Sequence, residues 1–380
     1  SYSDSWPAQP NSNEVPIPKG RLQVNTGSVS GFAVGSDIIT SRSILEGRWG
    51  PTDAVLAFYM TKNSRNDAKK AHYLRERTAQ KLIGAVDSSF YRLFSLQKTV
   101  PMAQKLVTIR KDAASKTQNL YSEKLISIED YQRTDQKLLK AERMLLNLLN
   151  ETEQQRNTLA SAMYVSPDAS TDGGFCLVGE MNPPCIDQVG NLEMVAIQNR
   201  PEAYKAGLEQ INSANDLKRT IVKYLPKATL YYRWTRDDNL HFLYNEWTDL
   251  GVQVYFDLMD FVVNYWENKA SKLVTRKTTL EMGAVALGIT SQVRTAAMKY
   301  LNAMDQLKTA ERSMGMSEKL LSIQRERAAR GNLQRLQILE SEGDVLNEKI
   351  EKIRTKGEAM GLYAELESTM GINYREPMPH

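Results

Sequence analysis

The sequence predicts a mainly α-helical protein with a small β part, in which a unit of two strands and a long helical hairpin occurs twice. Two tracts contain no proline, one between Pro101 and Pro167 and one between Pro226 and Pro377, and helix-forming residues dominate both. A stretch with strand character precedes each set of helices. Short sequence matches also recur at a fixed spacing, which is typical of an internal repeat.

Composition excludes several classes of protein. The 380 residues are 41% hydrophobic and 25% charged, which is ordinary for a globular chain. The 49 Lys and Arg residues exceed the 45 Asp and Glu residues by only four, and no tract gathers the basic ones. We therefore expect no nucleic-acid partner. No apolar run approaches the roughly 20 residues of a membrane-spanning helix.

Five short matches share the same order and nearly the same spacing along the chain. They pair Ile17 with Leu225, Asp53 with Asp260, Tyr91 with Tyr300, Lys124 with Gly331, and Met163 with Met370. The period is close to 207 residues, as 260 − 53 shows. Each match is weak alone, but five in order indicate a duplication.

The duplication divides the chain into three predicted parts. The first structural repeat covers residues 17–163, with a strand pair at 20–49 and a long helical hairpin at 53–163. A linker with two cysteines covers 164–198. The second repeat covers 199–372, with a helix at 199–223 that leads into a strand pair at 228–259 and a long helical hairpin at 260–372.

The strand pair of the second repeat carries the clearest β pattern. Apolar residues alternate with mostly polar ones from Asp249 to Leu258, which predicts a strand with one apolar and one polar face. Ten to twelve residues is about the length of a tilted membrane strand. A soluble hairpin is the alternative. The counterpart in the first repeat is rich in Ser and Gly, and its lipid-facing set is unclear.

Turn signals divide each helical tract into a hairpin. Gly331 and Asn332 are a natural helix stop. Ser127, followed three residues later by Asp130, predicts a helix start of the capping-box type. We also expect Pro101 to break or kink the first helix.

Residues that support catalysis or cofactor binding are scarce. The three histidines form no plausible set with a nucleophile and an acid, and no Gly-rich phosphate loop is present. No Cys and His cluster has metal-ligand spacing. We therefore expect no enzyme, metal site or cofactor.

Cys176 and Cys185 share one Gly- and Pro-rich loop, where either a disulfide or two unpaired thiols fits the spacing.

Three segments resemble the outer membrane factor family, the TolC-like outer-membrane efflux and secretion proteins. The stretch NRPEAYKAGLEQINSANDLKRTIVKYLPKATLYY, from Asn199, is similar to the family's helix that enters the second strand pair. RGNLQRLQILESE and KLISIEDYQ are similar to its two helical tips, although Lys124 stands where glycine is usual. The resemblance covers about residues 17–372. The first repeat lacks the preceding helix. Either an N-terminal stretch is missing from this chain, which we expect, or this member has lost the helix.

The resemblance implies a passive exit duct in the outer membrane and periplasm of a Gram-negative bacterium. Three copies would form a 12-stranded β-barrel, in contact with outer-membrane lipid, on a 12-helix α-barrel tube. The tip would dock a periplasmic adaptor (membrane fusion) protein joined to an inner-membrane ABC or RND transporter. Such ducts serve type I secretion and drug or metal efflux, and the sequence does not reveal the cargo.

A structural coiled-coil scaffold or a periplasmic adaptor is the alternative function. Long helical hairpins fit a scaffold equally well. A scaffold, however, has no need of two strand pairs placed in register with the helix repeats.

The resemblance also assigns candidate functional residues. Asp130 and Glu340 fall where the family has constricting acidic residues, with Glu129 and Gln337 close by and Arg330 or Arg335 as partners. Solvated polar positions on a helix are the alternative. The expected adaptor-docking residues are Lys124, Leu125, Ile126, Ser127, Gly331, Asn332, Leu333 and Gln334. The linker would lie at the tube's equator in the periplasm, which favours a disulfide between Cys176 and Cys185.

Overall fold

A computed structural model describes residues 41–165, 177–186, 188–237, 244–255, 258–329 and 335–374. In those residues the chain is mainly helical with a small sheet, as the sequence predicts. The strands are β1 (Arg42–Trp49), β2 (Lys227–Asp237) and β3 (Glu246–Tyr255). The helices are α1 (Pro51–Ser122), α2 (Ile128–Ala162), α3 (Val189–Asn199), α4 (Pro201–Val222), α5 (Leu258–Ala329) and α6 (Arg335–Met370).

The bounds of the long helices recur with the period found in the sequence. Helices α1 and α5 are each 72 residues long, and their starts are 258 − 51 = 207 residues apart. Helices α2 and α6 also start 335 − 128 = 207 residues apart. Residues 20–40, where most of the first strand pair is predicted, lie outside the described part of the chain.

The sequence predicts a break or a kink at Pro101. The break is wrong, because α1 continues through this residue, and the kink stays a prediction. Pro101 itself is exposed, so its ring projects away from the packed side of the helix. Leu96 and Leu106 on either side of it are buried against α2 and α6. Packing on both sides of the proline offsets the loss of the backbone hydrogen bond that proline cannot donate.

The chain forms two compact units, and each contains segments of both predicted repeats. The first unit is Ser1–Ala68 with Leu208–Thr279, and the second is Lys69–Gly207 with Leu280–His380. Helices α1 and α5 each contribute residues to both units.

The sheet of the first unit has the order β1-β2-β3, with both pairs antiparallel. Trp49 pairs with Leu230, which in turn pairs with Val252. Strand β2 therefore pairs with β1 from the first half of the sequence on one side and with β3 from the second half on the other.

The helices of the first unit pack through polar side chains. Among the residues described there, no hydrophobic side chain is buried. The amide of Asn66 donates to Asn212 at 2.7 Å, and that of Asn215 donates to Asn63 at 2.8 Å. These bonds tie α1 to α4. Buried amides need such partners, because an unsatisfied buried amide is costly.

The second unit has the opposite arrangement, with hydrophobic side chains inside and α6 in the middle. Ile350 of α6 is buried in a cluster with Leu96 of α1 and Leu148 of α2. Leu366 of α6 is buried in a second cluster with Val293 and neighbouring residues of α5. Helix α6 therefore packs against α1, α2 and α5.

Helices α1 and α6 approach closely where small residues face each other. A Cβ added at Gly357 would overlap the side chain of Ser95 and lie 3.2 Å from the carbonyl oxygen of Tyr91. That oxygen belongs to the backbone of a long helix and cannot move aside cheaply. Glycine is therefore required at this position for helix packing.

We expect Gly357→Ala to destabilise the protein by about 1–3 kcal/mol, since the added methyl group overpacks the α1–α6 contact. Gly283→Ala is the matched control, because a Cβ at Gly283 in α5 meets no atom within 4 Å. The control should stabilise by up to about 1 kcal/mol through helix propensity. Thermal unfolding followed by circular dichroism measures both effects, and equal effects would show that α1 and α6 are not in close contact.

Buried charges join the start of α4 to α1 in the second unit. Glu202 accepts hydrogen bonds from Arg77 at 2.6 Å and from Arg200 at 3.0 Å. Burial works against the charge of Glu202, but the bonds from Arg200 and the charges of both arginines outweigh it and lower its pKa. Asp87 lies on the same helix as Arg77, and burial alone raises its pKa.

Glu202→Gln and Asp87→Asn should therefore change the free energy of unfolding in opposite directions at neutral pH. A lowered folded-state pKa means that ionised Glu202 stabilises the protein above its unfolded pKa of about 4.3, and that this is lost as pH falls through the folded value. A raised pKa means that ionised Asp87 costs stability, and the cost disappears below its unfolded pKa of about 3.9. Urea unfolding as a function of pH tests this, and shifts of equal sign would refute it.

Candidate functional site

The turn between α1 and α2 is built on a left-handed residue. Lys124 has φ 60°, a conformation that favours glycine. The Lys124 N–H donates to the Tyr121 carbonyl at 3.0 Å, and the Leu125 N–H donates to the Leu120 carbonyl at 2.9 Å. This pair of bonds is the Schellman motif, which ends α1 abruptly.

Helix α2 starts with the cap that the sequence predicts. The hydroxyl of Ser127 accepts the Asp130 N–H at 3.2 Å and donates to the Asp130 carboxylate at 2.9 Å. Glu129 and Asp130 both lie in the first turn, where the helix dipole favours negative charge. Both side chains are exposed, so they are available to another molecule.

The predicted docking residues of the first turn lie together between α1 and α2. Lys124, Leu125 and Ser127 are exposed, and Ile126 is half-buried. Ile128 at the start of α2, which was not among the predicted residues, is also exposed. Tyr121 stacks on Tyr131 with 5.4 Å between ring centroids, which joins the two helices beside the turn. The predicted docking residues of the second turn, Gly331, Asn332, Leu333 and Gln334, lie outside the described residues.

The structure pairs the predicted gate residue Glu340 with a lysine that sequence reasoning missed. Lys137 of α2 lies 2.7 Å from the Glu340 carboxylate of α6. One turn further along α6, Asp344 lies 2.5 Å from Arg110 of α1. Glu340 and Asp344 are spaced i, i+4, which places them on one helix face. That spacing was a signal in the sequence, although it does not identify the basic partners.

The remaining gate residues are not brought together within one chain. Gln337 is exposed in the first turn of α6 and corresponds to Asp130 by the repeat period, since 130 + 207 = 337. Arg335, an expected partner of Glu340, is exposed, and Arg330 lies outside the described residues.

The linker segment 177–186 packs along the second unit. The Leu177 N–H donates to the Gln97 side chain of α1 at 3.2 Å, and the Tyr300 hydroxyl donates to the Pro184 carbonyl. Burial raises the pKa of Tyr300 to about 12. Cys185 is exposed, and Cys176 lies outside the described residues, so the disulfide stays a prediction.

One face of the sheet is apolar and exposed. On β1 and β3 the exposed fractions reach 69% for Leu45, 67% for Leu250 and 66% for Val252. Leu230 and Tyr232 of β2 pair with Val252 and Leu250 and are also exposed, and Leu45 pairs with Trp234 further along the same face. Side chains at alternate positions of paired strands share a face, so these residues form one continuous apolar surface.

The other face of the sheet carries charge. Glu46 of β1 lies 2.5 Å from Arg48 and 3.2 Å from Arg233 of β2. Arg42 lies 3.9 Å from Asp237 at the end of the same strand pair. The sheet is therefore apolar on one side, and on the other side these ion pairs lie among Ile44, Trp247 and Tyr255.

The described residues contain no group of three or more His, Cys, Asp or Glu side chains placed to hold a metal ion. None of the helices described has a window both long and apolar enough to cross a membrane.

The fold is similar to three solved structures of outer-membrane proteins. The outer-membrane channel OprN matches with a TM-score of 0.71 and 15% identity, over 88% of this chain and 80% of that one. VceC of Vibrio cholerae matches with 0.68 and 13%, over 88% and 86%. CusC, which forms a transmembrane channel, matches with 0.72 and 10%, over 93% and 80%.

The chain has the fold of outer-membrane channels. This finding confirms, for the fold, the resemblance to TolC-like outer membrane factors that the sequence predicts. No protein-family model and no curated protein matches the chain.

Lys124→Gly should stabilise this outer-membrane-channel fold by about 1 kcal/mol, because glycine adopts the left-handed conformation without the steric cost of a Cβ. Lys116→Gly in the last third of α1 is the control and should destabilise by about 1 kcal/mol. The midpoint of thermal unfolding measures both. Destabilisation by Lys124→Gly would mean that the turn does not need a positive φ.

Proposed function

We propose that this chain is a subunit of a passive, non-enzymatic exit duct in the outer membrane and periplasm of a Gram-negative bacterium. The observation that carries the proposal is the sheet with one exposed apolar face and one ionic face. A membrane barrel needs strands that alternate in this way, with apolar side chains toward lipid and polar ones toward the lumen. The outer-membrane channels with the same fold support the assignment.

The working unit in this proposal is a homotrimer with a 12-stranded β-barrel on a 12-helix α-barrel tube. Each chain would supply two strand pairs and two helical hairpins, in the repeats 17–163 and 199–372. Support comes from α5, where Leu280, Leu287 and Leu301 recur at multiples of seven residues and are exposed. An apolar stripe with this spacing is typical of a helix that packs on another along a coiled-coil seam.

The helical turns would dock a periplasmic adaptor (membrane fusion) protein, which joins the duct to an inner-membrane ABC or RND transporter. The exposed Leu125 and Ile128 beside the rigid Tyr121–Tyr131 stack support a docking role for the first turn. Energy for export would come from that transporter, in a type I secretion or a drug or metal efflux system. The linker 164–198, with the Cys176–Cys185 disulfide, would lie at the equator of the tube.

The gate of the duct would be formed by the first turns of α2 and α6. Three copies of Asp130 and Glu340, with Glu129 and Gln337, would place a ring of acidic groups in the lumen that favours cations. The Lys137 ammonium offsets the charge of Glu340 within each protomer. This pair is half-buried, so water still reaches both groups. Ion pairs near the surface contribute only about 0–1 kcal/mol each, which suits a gate that another protein must open.

The experiment combines the native mass in detergent with conductance in planar bilayers. The wild-type protein should be a trimer and form discrete channels. Asp130→Ala with Glu340→Ala should raise single-channel conductance and weaken block by divalent cations, because the acidic ring is removed. Glu142→Ala, at an exposed acidic position further along α2, is the control and should behave as wild type.

Each contrary result has a separate meaning. A monomer that stays soluble without detergent and forms no channel would replace the duct by a scaffold or adaptor. Trimeric channels with unchanged conductance in the double variant would keep the duct and move the gate to other residues.

A further inference from the structure

We propose that a cavity in the second unit binds short zwitterionic peptides, of which a dipeptide is the smallest, between Glu351 and Arg354 of α6. The cavity has a volume of about 320 Å³, and α1, α2, α5 and α6 all contribute side chains to its lining. This volume is within the range of small-molecule sites. The inference rests on the proposed function, because it names a class of solute that the duct would carry.

The cavity lies on the face of α6 that is opposite to the linker. Ile353 and Met360 pack with Met181 of the linker and mark the covered face. Glu351 and Glu358, which line the cavity, each come two residues earlier, so they lie about 160° around the helix from that face. The linker therefore covers one side of the helical wall, and the other side, which carries the cavity, is the side that would face the lumen of the duct.

Two charged groups of the cavity are already paired with each other. Arg92 of α1 donates from two nitrogens to the two carboxylate oxygens of Glu358, at 3.0 Å and 3.1 Å. A bidentate pair of this kind is fixed in its geometry. Ser95 and Leu96 of α1 also line the cavity and are buried, so they form its floor. The Arg92–Glu358 pair is therefore part of the wall, and other groups must recognise the ligand.

Glu351 and Arg354 keep unused capacity for hydrogen bonds. Among the described residues, the side chain that bonds Glu351 is the Thr355 hydroxyl, and it donates to the backbone carbonyl, which leaves the carboxylate free. Arg354 donates once, to Glu151 of α2 at 2.7 Å, although a guanidinium has five N–H donors. Both side chains are exposed. At positions i and i+3 of one helix, their Cβ atoms lie about 5–6 Å apart.

A zwitterionic peptide satisfies both groups at once. Its ammonium would donate to Glu351 and its carboxylate would accept from Arg354, which gives two charge-assisted hydrogen bonds. The charged ends of a dipeptide are separated by about two residues of extended chain, roughly 7 Å, close to the spacing of the two side chains. Gln155 of α2 and Gln306 of α5 also line the cavity, and their amides can donate to and accept from a peptide group.

A ligand with a single charge fits the cavity less well. A cation bound to Glu351 would lie beside the Arg354 guanidinium, and an anion bound to Arg354 would lie beside the Glu351 carboxylate. Like charges within one helical turn repel each other. The pair therefore selects a ligand that carries both charges.

Three forms of one dipeptide test the proposal on the intact protein in detergent. Alanyl-alanine carries both charges at neutral pH, its methyl ester carries only the positive charge, and its N-acetyl derivative carries only the negative charge. Isothermal titration calorimetry measures the three dissociation constants. Alanyl-alanine should bind at least about tenfold more tightly than either derivative, because each derivative loses one charge-assisted hydrogen bond.

Two variants assign each charge of the ligand to its partner. Glu351→Gln should bind alanyl-alanine and the N-acetyl derivative equally, and its affinity for the N-acetyl derivative should stay within about twofold of wild type, which shows that the cavity is intact. Arg354→Gln should likewise bind alanyl-alanine and the methyl ester equally. Glu318→Gln and Arg312→Gln, at exposed positions of α5 outside the cavity, are the charge-matched controls and should leave all three affinities unchanged.

The possible outcomes separate this inference from the duct itself. If the methyl ester binds as tightly as alanyl-alanine, the cavity recognises only positive charge and the proposal is overturned. Absence of binding by all three forms also overturns it, and the duct then stands if the same protein forms channels in planar bilayers. The predicted charge preferences in a protein that forms no channels would keep the peptide site and refute the duct.

Discussion

Polar contacts hold the first unit together, because its described part buries no hydrophobic side chain of its own. Amide and hydroxyl pairs such as Asn66–Asn212 hold its helices together. In water such bonds contribute only about 0.5–1.5 kcal/mol each, since the same groups bond equally well to solvent. Where lipid or other protein excludes the solvent, water no longer competes for the polar groups. The exposed apolar side chains then no longer destabilise the unit by facing water.

The second unit has an ordinary hydrophobic interior, although the same two helices contribute to both units. In α1 the buried residues change from Asn66 to Leu93, Leu96 and Ala103 as the chain proceeds. In α5 they change from Asn264 and Asn268 to Ile289 and Val293. A single helix therefore packs through different kinds of residue along its length. In α1 the change comes inside the second unit, because His72, Gln80 and Ser88 are also buried there.

Patterns of a few neighbouring residues predicted those elements that interactions between near neighbours determine. Ser127 caps α2 as its spacing to Asp130 indicates, and the alternation after Asp249 is a strand. Pro101 was misjudged, because packing by Leu96 and Leu106 outweighs a local cost. The partner of Glu340 could not be found, since Lys137 is brought near only by the packing of α2 on α6. A positive φ at Lys124 had only an indirect signal, because Lys124 stands where the family usually has glycine and where the second repeat has Gly331. The backbone hydrogen bonds of the turn, and not the side chain, impose it.

The two main residues of the proposed gate differ in the same way, because local interactions stabilise one and tertiary contacts stabilise the other. Each chain keeps Asp130 at a helix start, where the cap and the helix dipole favour its charge without any partner from another helix. Glu340 instead depends on Lys137, which belongs to a different helix of the same chain. A movement of α2 against α6 would therefore release Glu340 and leave Asp130 unaffected. An adaptor that binds the α1–α2 turn would act directly on the start of α2. Docking and the net charge of the lumen would then be coupled through the Lys137–Glu340 ion pair.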